Sequence, residues 1–283
     1  MLNTIHDLMR PPPGMDFDFS RPAGEPALTP ADGVSWRVFA NPVGLFVGGV
    51  AAVLLELAEP SVRAGVWDHT GFRVDPVTRL RRTGFAAMMT VYGPRTAAEE
   101  LIARVTRMHA RVQGATPDGR PYRADDTRLL DWVHATASFG FSAAYHHYVQ
   151  SLSALERDRA FAEGQASARL YGATGAPRSW AEWETLLART APTLEGSAII
   201  AEFLHIMMGA PIVPAPLRSV QRLLVRAAVQ IVPEPVRSLP QLRGHGLRIG
   251  EAALVRALAR GGALLPLGDT PPRQAARRLG AGK

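Results

Sequence analysis

Apolar positions recur three and four residues apart along nearly the whole chain, with no sustained period-two alternation and no Asn-Gly or Asp-Gly turn between apolar runs. The pattern predicts an all-α protein, a single multi-helix globular domain. Helices are expected over 43–58, 76–92, 96–113, 126–149, 154–171, 179–190, 197–209, 217–231 and 248–260. Several starts are marked by a hydroxyl residue three positions before a glutamate. In Thr96 with Glu99, Ser153 with Glu156, and Ser179 with Glu182, each side chain can satisfy the other's unpaired backbone donor. Gly114 and Gly172 stand where C-terminal caps belong. Short Pro/Gly linkers separate the helices, and no internal repeat is present. Residues 1–40 are expected to form an N-terminal extension, 41–235 the main domain, 236–270 a helical segment packed on it, and 271–283 a flexible basic tail.

The run from Pro42 to Ala58 is the most apolar stretch, yet it is shorter than the roughly 20 residues a membrane span needs. It also carries Glu56 and ends at Glu59-Pro60, so a buried helix is expected and no transmembrane span. Residues 1–30 include Pro11-Pro12-Pro13 and lack a charged-then-apolar leader pattern. The chain has no cysteine, which excludes disulfides, iron–sulfur clusters, thiolate-ligated haem and zinc–cysteine sites and fits a cytoplasmic setting. Net charge is +7, but the sole lysine is Lys283, so the basicity is arginine spread beside acids, as in Glu156-Arg157-Asp158-Arg159. That is not the basic face with interleaved aromatics of a nucleic-acid surface, and no nucleic-acid partner is expected.

Candidate chemistry sits on three helices. Ile102, Val105, His109 and Val112 share one stripe; Leu130, His134, Ala137, Phe141 and Ala144 share another. Each histidine is either a satisfied core residue or a donor at a buried site. Arg79, Arg82 and Thr83 lie close on the 76–92 helix, forming either a solvated basic face or a forked anion clamp. A different chemistry is also open. Glu202 and His205 form a Glu-x-x-His motif, and Asp131 with His134 forms its aspartate analogue, as di-iron carboxylate bundles use in pairs.

The succession Leu54-Leu55-Glu56-Leu57-Ala58-Glu59-Pro60, Asp68-His69, Arg79-Leu80-Arg81-Arg82-Thr83, Arg107-Met108-His109-Ala110-Arg111-Val112, Arg120-Pro121-Tyr122-Arg123-Ala124-Asp125-Asp126 and Leu130-Asp131-Trp132-Val133-His134 resembles a known family. It is the family of rubber oxygenase (latex-clearing protein) and the mycophenolic-acid-pathway oxygenase, and the likeness runs over roughly residues 40 to 235. The resemblance implies an all-α domain enclosing one haem b, with His109 as the proximal iron ligand and its second ring nitrogen held by a carbonyl or carboxylate. It places Arg79, Arg82 and Thr83 beside the haem. Arg82 stands where rubber oxygenase has a lysine able to reach the iron; a guanidinium cannot ligate in that way. Glu59 stands where many relatives carry a histidine, and Glu59 with His134 are candidate catalytic groups on the distal side. The implied activity is an oxygenase or oxidase using dioxygen or peroxide on an apolar or aromatic small molecule; the alternative is a non-catalytic haem-binding or sensor protein.

Overall fold

The computed structural model describes residues 15–264 and 268–280; Pro11-Pro12-Pro13 and Lys283 lie outside them. The architecture is α-helical, with one two-stranded antiparallel sheet as its only β-structure among the described residues.

Val34–Ala40 (α1) leads into Pro42–Ala58 (α2) through Asn41, whose Oδ1 accepts from the amides of Val43 and Gly44 and whose Nδ2 donates to the Ala259 carbonyl. Pro60–His69 (α3) follows at once, because Pro60 cannot continue α2 and Glu59 caps the new helix. Pro76–Tyr92 (α4) starts on Asp75, and Arg95–His109 (α5) comes after Pro94. Strands Gln113–Ala115 (β1) and Pro121–Arg123 (β2) form a hairpin, then Thr127–Tyr148 (α6) crosses the whole molecule. Ala154–Glu163 (α7), Gln165–Tyr171 (α8), Trp180–Thr190 (α9), Ala198–Gly209 (α10), Arg218–Ile231 (α11), Glu234–Arg237 (α12), Glu251–Leu264 (α13) and Pro271–Arg278 (α14) complete the chain.

Helices α2 and α6 are the central pair. Gly44 meets Val149, Gly48 meets Gly140, and the Leu55 carbonyl accepts from the Trp132 indole at 3.3 Å, so the two run antiparallel. The main core gathers on them from α3, α9, α10, α11 and α13. A second core joins the C-terminal half of α4 to α5, the N-terminal segment and α14 through Phe19, Met89, Tyr92, Ile102 and Ala275. The N-terminal half of α4 contributes no fully buried residue and touches the main core only through Val77 and Leu80.

Several expected boundaries move. Helix α5 stops at His109, not at 113, and the chain turns into the hairpin, where Gly119 at φ 84 closes a Pro-Asp-Gly turn between polar flanks. Gly114 is a strand residue, whereas Gly172, at φ 89, is the left-handed cap the sequence marks. The 154–171 segment is two helices meeting at Gly164. The Ser153–Glu156 box forms in full. Ser179 caps Glu182, but that glutamate accepts from Arg178 instead. Thr96 gives both its donors to Glu25, so the expected box with Glu99 is not made. The expected flexible tail is also corrected over Pro271–Arg278: it is a helix, with Arg278 buried. No single helix is long and apolar enough to cross a membrane among the described residues, although α1 with α2, bent by 98°, passes by length and composition as a pair.

Candidate functional site

A cavity of about 1380 Å³ runs between α4 and the α2–α6 pair and on toward α11 and α13. It exceeds the roughly 300–1,000 Å³ of common small-molecule sites. Its walls are mainly apolar, with Phe46, Val50, Val53, Val133 and Phe141 among them. The polar exceptions are therefore informative. Glu56 comes from α2, Arg79 and Arg81 from α4, His109 from the end of α5, and His134 from α6; His69 and Tyr122 line the same space.

All of these exceptions but Tyr122, which is on β2, are carried by helices. Glu56 stands in an otherwise apolar helix, and burial pushes its carboxyl up to about 7, with the Arg79 guanidinium and the Thr136 hydroxyl opposing the rise. His134 is enclosed; burial alone lowers it to about 4, so its ring is neutral at ordinary pH, and its Nε2 has no hydrogen-bond partner. Gly164 packs so close to that ring that a Cβ there would lie 2.9 Å from Nε2. Half-buried His109 is held below its ordinary value by burial and then by Arg79, with Asp125 opposing. Its Nδ1 is buried and unpartnered, so the carbonyl or carboxylate expected behind it is not there. Arg79 is also lowered, chiefly by burial, and Arg81 keeps a buried Nε without a partner. His69 Nε2 and the Tyr122 hydroxyl lie 3.2 Å apart.

Some expected site residues lie elsewhere. Arg82 is exposed and does not line the cavity. Three residues advance a helix by 300°, so Arg82 shares its face with Thr78 and Met89, turned away from the space that Arg79 faces. Arg81, about 200° round the helix from Arg79, lines another part of the cavity. Thr83 is on the wall, but its hydroxyl donates to the Arg79 carbonyl at 3.0 Å. Glu59 is buried and occupied structurally: it accepts from the Val62 amide at 2.8 Å and pairs with Arg128 at 3.1 Å, outside the cavity lining. Sequence reasoning passed over Glu56 and Arg81. The signal for Glu56 was a lone carboxylate in the most apolar run of the chain.

The di-iron arrangement is not assembled. Glu202 is bound in a fork by Arg73 at 2.7 and 2.8 Å on the surface, Asp131 accepts from the Gly175 amide, and no group of three or more metal-capable side chains occurs among the described residues.

A family model described as ER-bound oxygenase mpaB/B'/Rubber oxygenase, catalytic domain, matches residues 36–263. No curated protein and no solved structure matches the chain.

Proposed function

This chain belongs to the family of mpaB and rubber oxygenase catalytic domains and is an oxidoreductase of the oxygenase class, and on that premise we propose that it holds one haem b on His109 and oxidises an apolar small molecule with dioxygen or peroxide. The observation that carries the reading is the unpartnered, buried ring nitrogen of His109 on the wall of a large apolar cavity that Arg79 and Arg81 also line. A buried imidazole kept neutral is competent to donate to a metal, whereas an imidazolium is not. A bound haem supplies the iron at which the oxidant is activated.

The chain's own residues divide the remaining tasks. Arg79 and Arg81 offer guanidinium forks for the anionic edge of the cofactor, partners that a propionate could give the unsatisfied Nε of Arg81. The apolar walls exclude water and favour a substrate with little polarity. Glu56, with its proton held up to about 7, exists in both protonation states near neutrality and can accept or return a proton at its carboxyl oxygens. Neutral His134 lines the same space and keeps a buried Nε2 without a partner.

Protein produced with haem precursor is expected to show a Soret band and a pyridine haemochrome of the b type, at one haem per chain. His109→Ala should lose the band while keeping the helical circular dichroism signal, and His134→Ala should keep it. Colourless wild-type protein would overturn the proposal. A band that survives in His109→Ala and vanishes in His134→Ala would transfer the iron to α6.

A further inference from the structure

Away from the cavity lining, the main core holds three oxidisable indoles joined in one chain of aromatic contacts with Phe139. The Trp132 ring stacks on Trp183 with centroids 5.7 Å apart and planes at 27°. Trp183 stacks on Phe139 at 4.8 Å, and Phe139 lies 5.5 Å from Trp180. The two ends of this run differ. Trp132 is 1% exposed, and its indole N–H donates to the carbonyl of Leu55, one peptide bond from Glu56 on the cavity wall. Trp180 is half-buried and borders a surface groove of about 430 Å³, whose floor the buried Phe139 and Trp183 also line. Its Nε1–H donates to Glu184 Oε1 at 3.0 Å, and the Arg157 guanidinium lies 4.9 Å from the ring centroid.

We propose that Trp132, Trp183 and Trp180, with Phe139 bridging the last two, form a path that carries a one-electron oxidising equivalent from the cavity to the surface. An oxygenase whose oxidant forms without substrate needs somewhere harmless to discharge it. An electron leaves the Trp180 indole, passes through Trp183 and Trp132, and reduces the oxidant in the cavity by one electron. The Nε1 proton of Trp180 moves to Glu184, which leaves a neutral indolyl radical at the groove. A soluble one-electron donor of the ascorbate class then reduces that radical, and the proton returns from Glu184. Phe139 is not oxidised; its ring fills the gap between the indoles. The hydrogen-bonded carboxylate at the outer end, and a backbone carbonyl at the inner one, make the surface indole the place where loss of charge and proton coincide.

The inference rests on oxidising chemistry in the cavity, so its test includes an arm that does not need haem. The chain has no cysteine, so Ser138→Cys on the cavity wall gives one thiol for tethering a photo-oxidant. A flash should then produce an indolyl radical by transient absorption, and mass spectrometry should locate the oxidation product at Trp180. Trp132→Phe should lose most of that radical. Glu184→Gln, a surface change, should leave a radical with the spectrum of the protonated cation. In the haem-loaded protein, peroxide without substrate should mark the same residue. Absence of a Soret band would defeat the haem reading alone, because the tethered arm still reports on the path. Oxidation spread over other residues, or an undiminished Trp180 product in folded Trp132→Phe, would overturn the path itself.

Discussion

Glu56 and His134 face one cavity with their titrations displaced in opposite senses, and the linkage between protonation and stability makes this measurable. Between pH 4.5 and about 7 the folded chain keeps the Glu56 proton while the unfolded chain has lost it, so this residue makes stability fall as pH rises. Between about 4 and 6.5 the folded chain has a neutral His134 while the unfolded chain is protonated, so this residue makes stability rise with pH. Over their shared window the slopes oppose, each corresponding to roughly 3 kcal/mol across its full range. Urea denaturation as a function of pH should therefore show little slope from this pair between pH 5 and 6 in the wild type. Glu56→Gln should unmask a rise with pH there, and His134→Gln a fall; identical profiles for all three proteins would show that neither group is shifted. Turnover that depends on ionised Glu56 should rise through a midpoint near 7, and Glu56→Gln should flatten that limb. The histidines were legible in the sequence because a polar residue on an apolar stripe is conspicuous. Arg82 falls outside the lining because a spacing of three is only approximately one face, and the cavity edge falls within that 60° difference. Glu59 caps α3, a local role for a carboxylate before proline that spacing cannot separate from catalysis.

At the scale of elements, the close crossing of α2 and α6 brings Leu55 against Trp132 and so sets Glu56 and His134 on a common wall. It depends on two glycines. A Cβ on Gly140 would lie 2.5 Å from the Gly48 carbonyl oxygen, and one on Gly48 would lie 2.7 Å from the Phe141 Cα. Both obstacles are backbone, which cannot swing aside as a side-chain tip can. Gly140→Ala should cost about 3 kcal/mol in thermal or urea unfolding, at the upper end of ordinary overpacking. Gly84→Ala, on α4 with nothing within 4 Å of its new methyl, should be neutral or slightly stabilising through helix propensity. Equal effects at the two sites would show that the helices are not so closely apposed. Most long helices were legible because their apolar periodicity extends over many turns. The hairpin was not: Asp118-Gly119 carries the turn signal, but three-residue strands between polar flanks show no alternation. Nor was α3, whose short sequence of mixed polarity has no stripe of its own and is organised by Glu59 and Pro60. The break at Gly164 is likewise tertiary, since the glycine leaves room for the His134 ring.

The molecule as a whole is tied together by its two flanks, both largely outside the 36–263 span of the family match. Arg278 is 2% exposed and donates to three backbone carbonyls: Phe19 at 2.6 Å, Glu25 at 2.8 Å and Tyr92 at 2.8 Å. The first two belong to the N-terminal segment and the third ends α4. Gln274, one turn earlier on α14, accepts from the Phe19 amide at 2.7 Å. A single guanidinium therefore fastens α14 and the segment from Phe19 to Glu25 to the helix that carries Arg79 and Arg81. Because the N-terminal half of α4 lines the cavity and touches the main core only through the partly buried Val77 and Leu80, its position depends in part on how firmly its C-terminal end is held. Arg278→Ala strips three carbonyls of their donor, two of them buried, and each buried loss costs about 1–3 kcal/mol when water cannot replace it. Partial access of water to a vacated arginine site reduces the sum, so a loss of about 3 kcal/mol in urea unfolding is expected. Arg278→Lys should recover only part of it, since an ammonium is a point donor and not a planar fork. The effect specific to a clamp is its reach. Hydrogen exchange at α4 amides around Arg79–Thr83 should accelerate in Arg278→Ala, although the substituted residue lies on another helix, while exchange in the α2–α6 pair stays at wild-type rates. Acceleration confined to α14 and the N-terminal segment would show that the flanks pack on the domain without positioning the wall of its cavity.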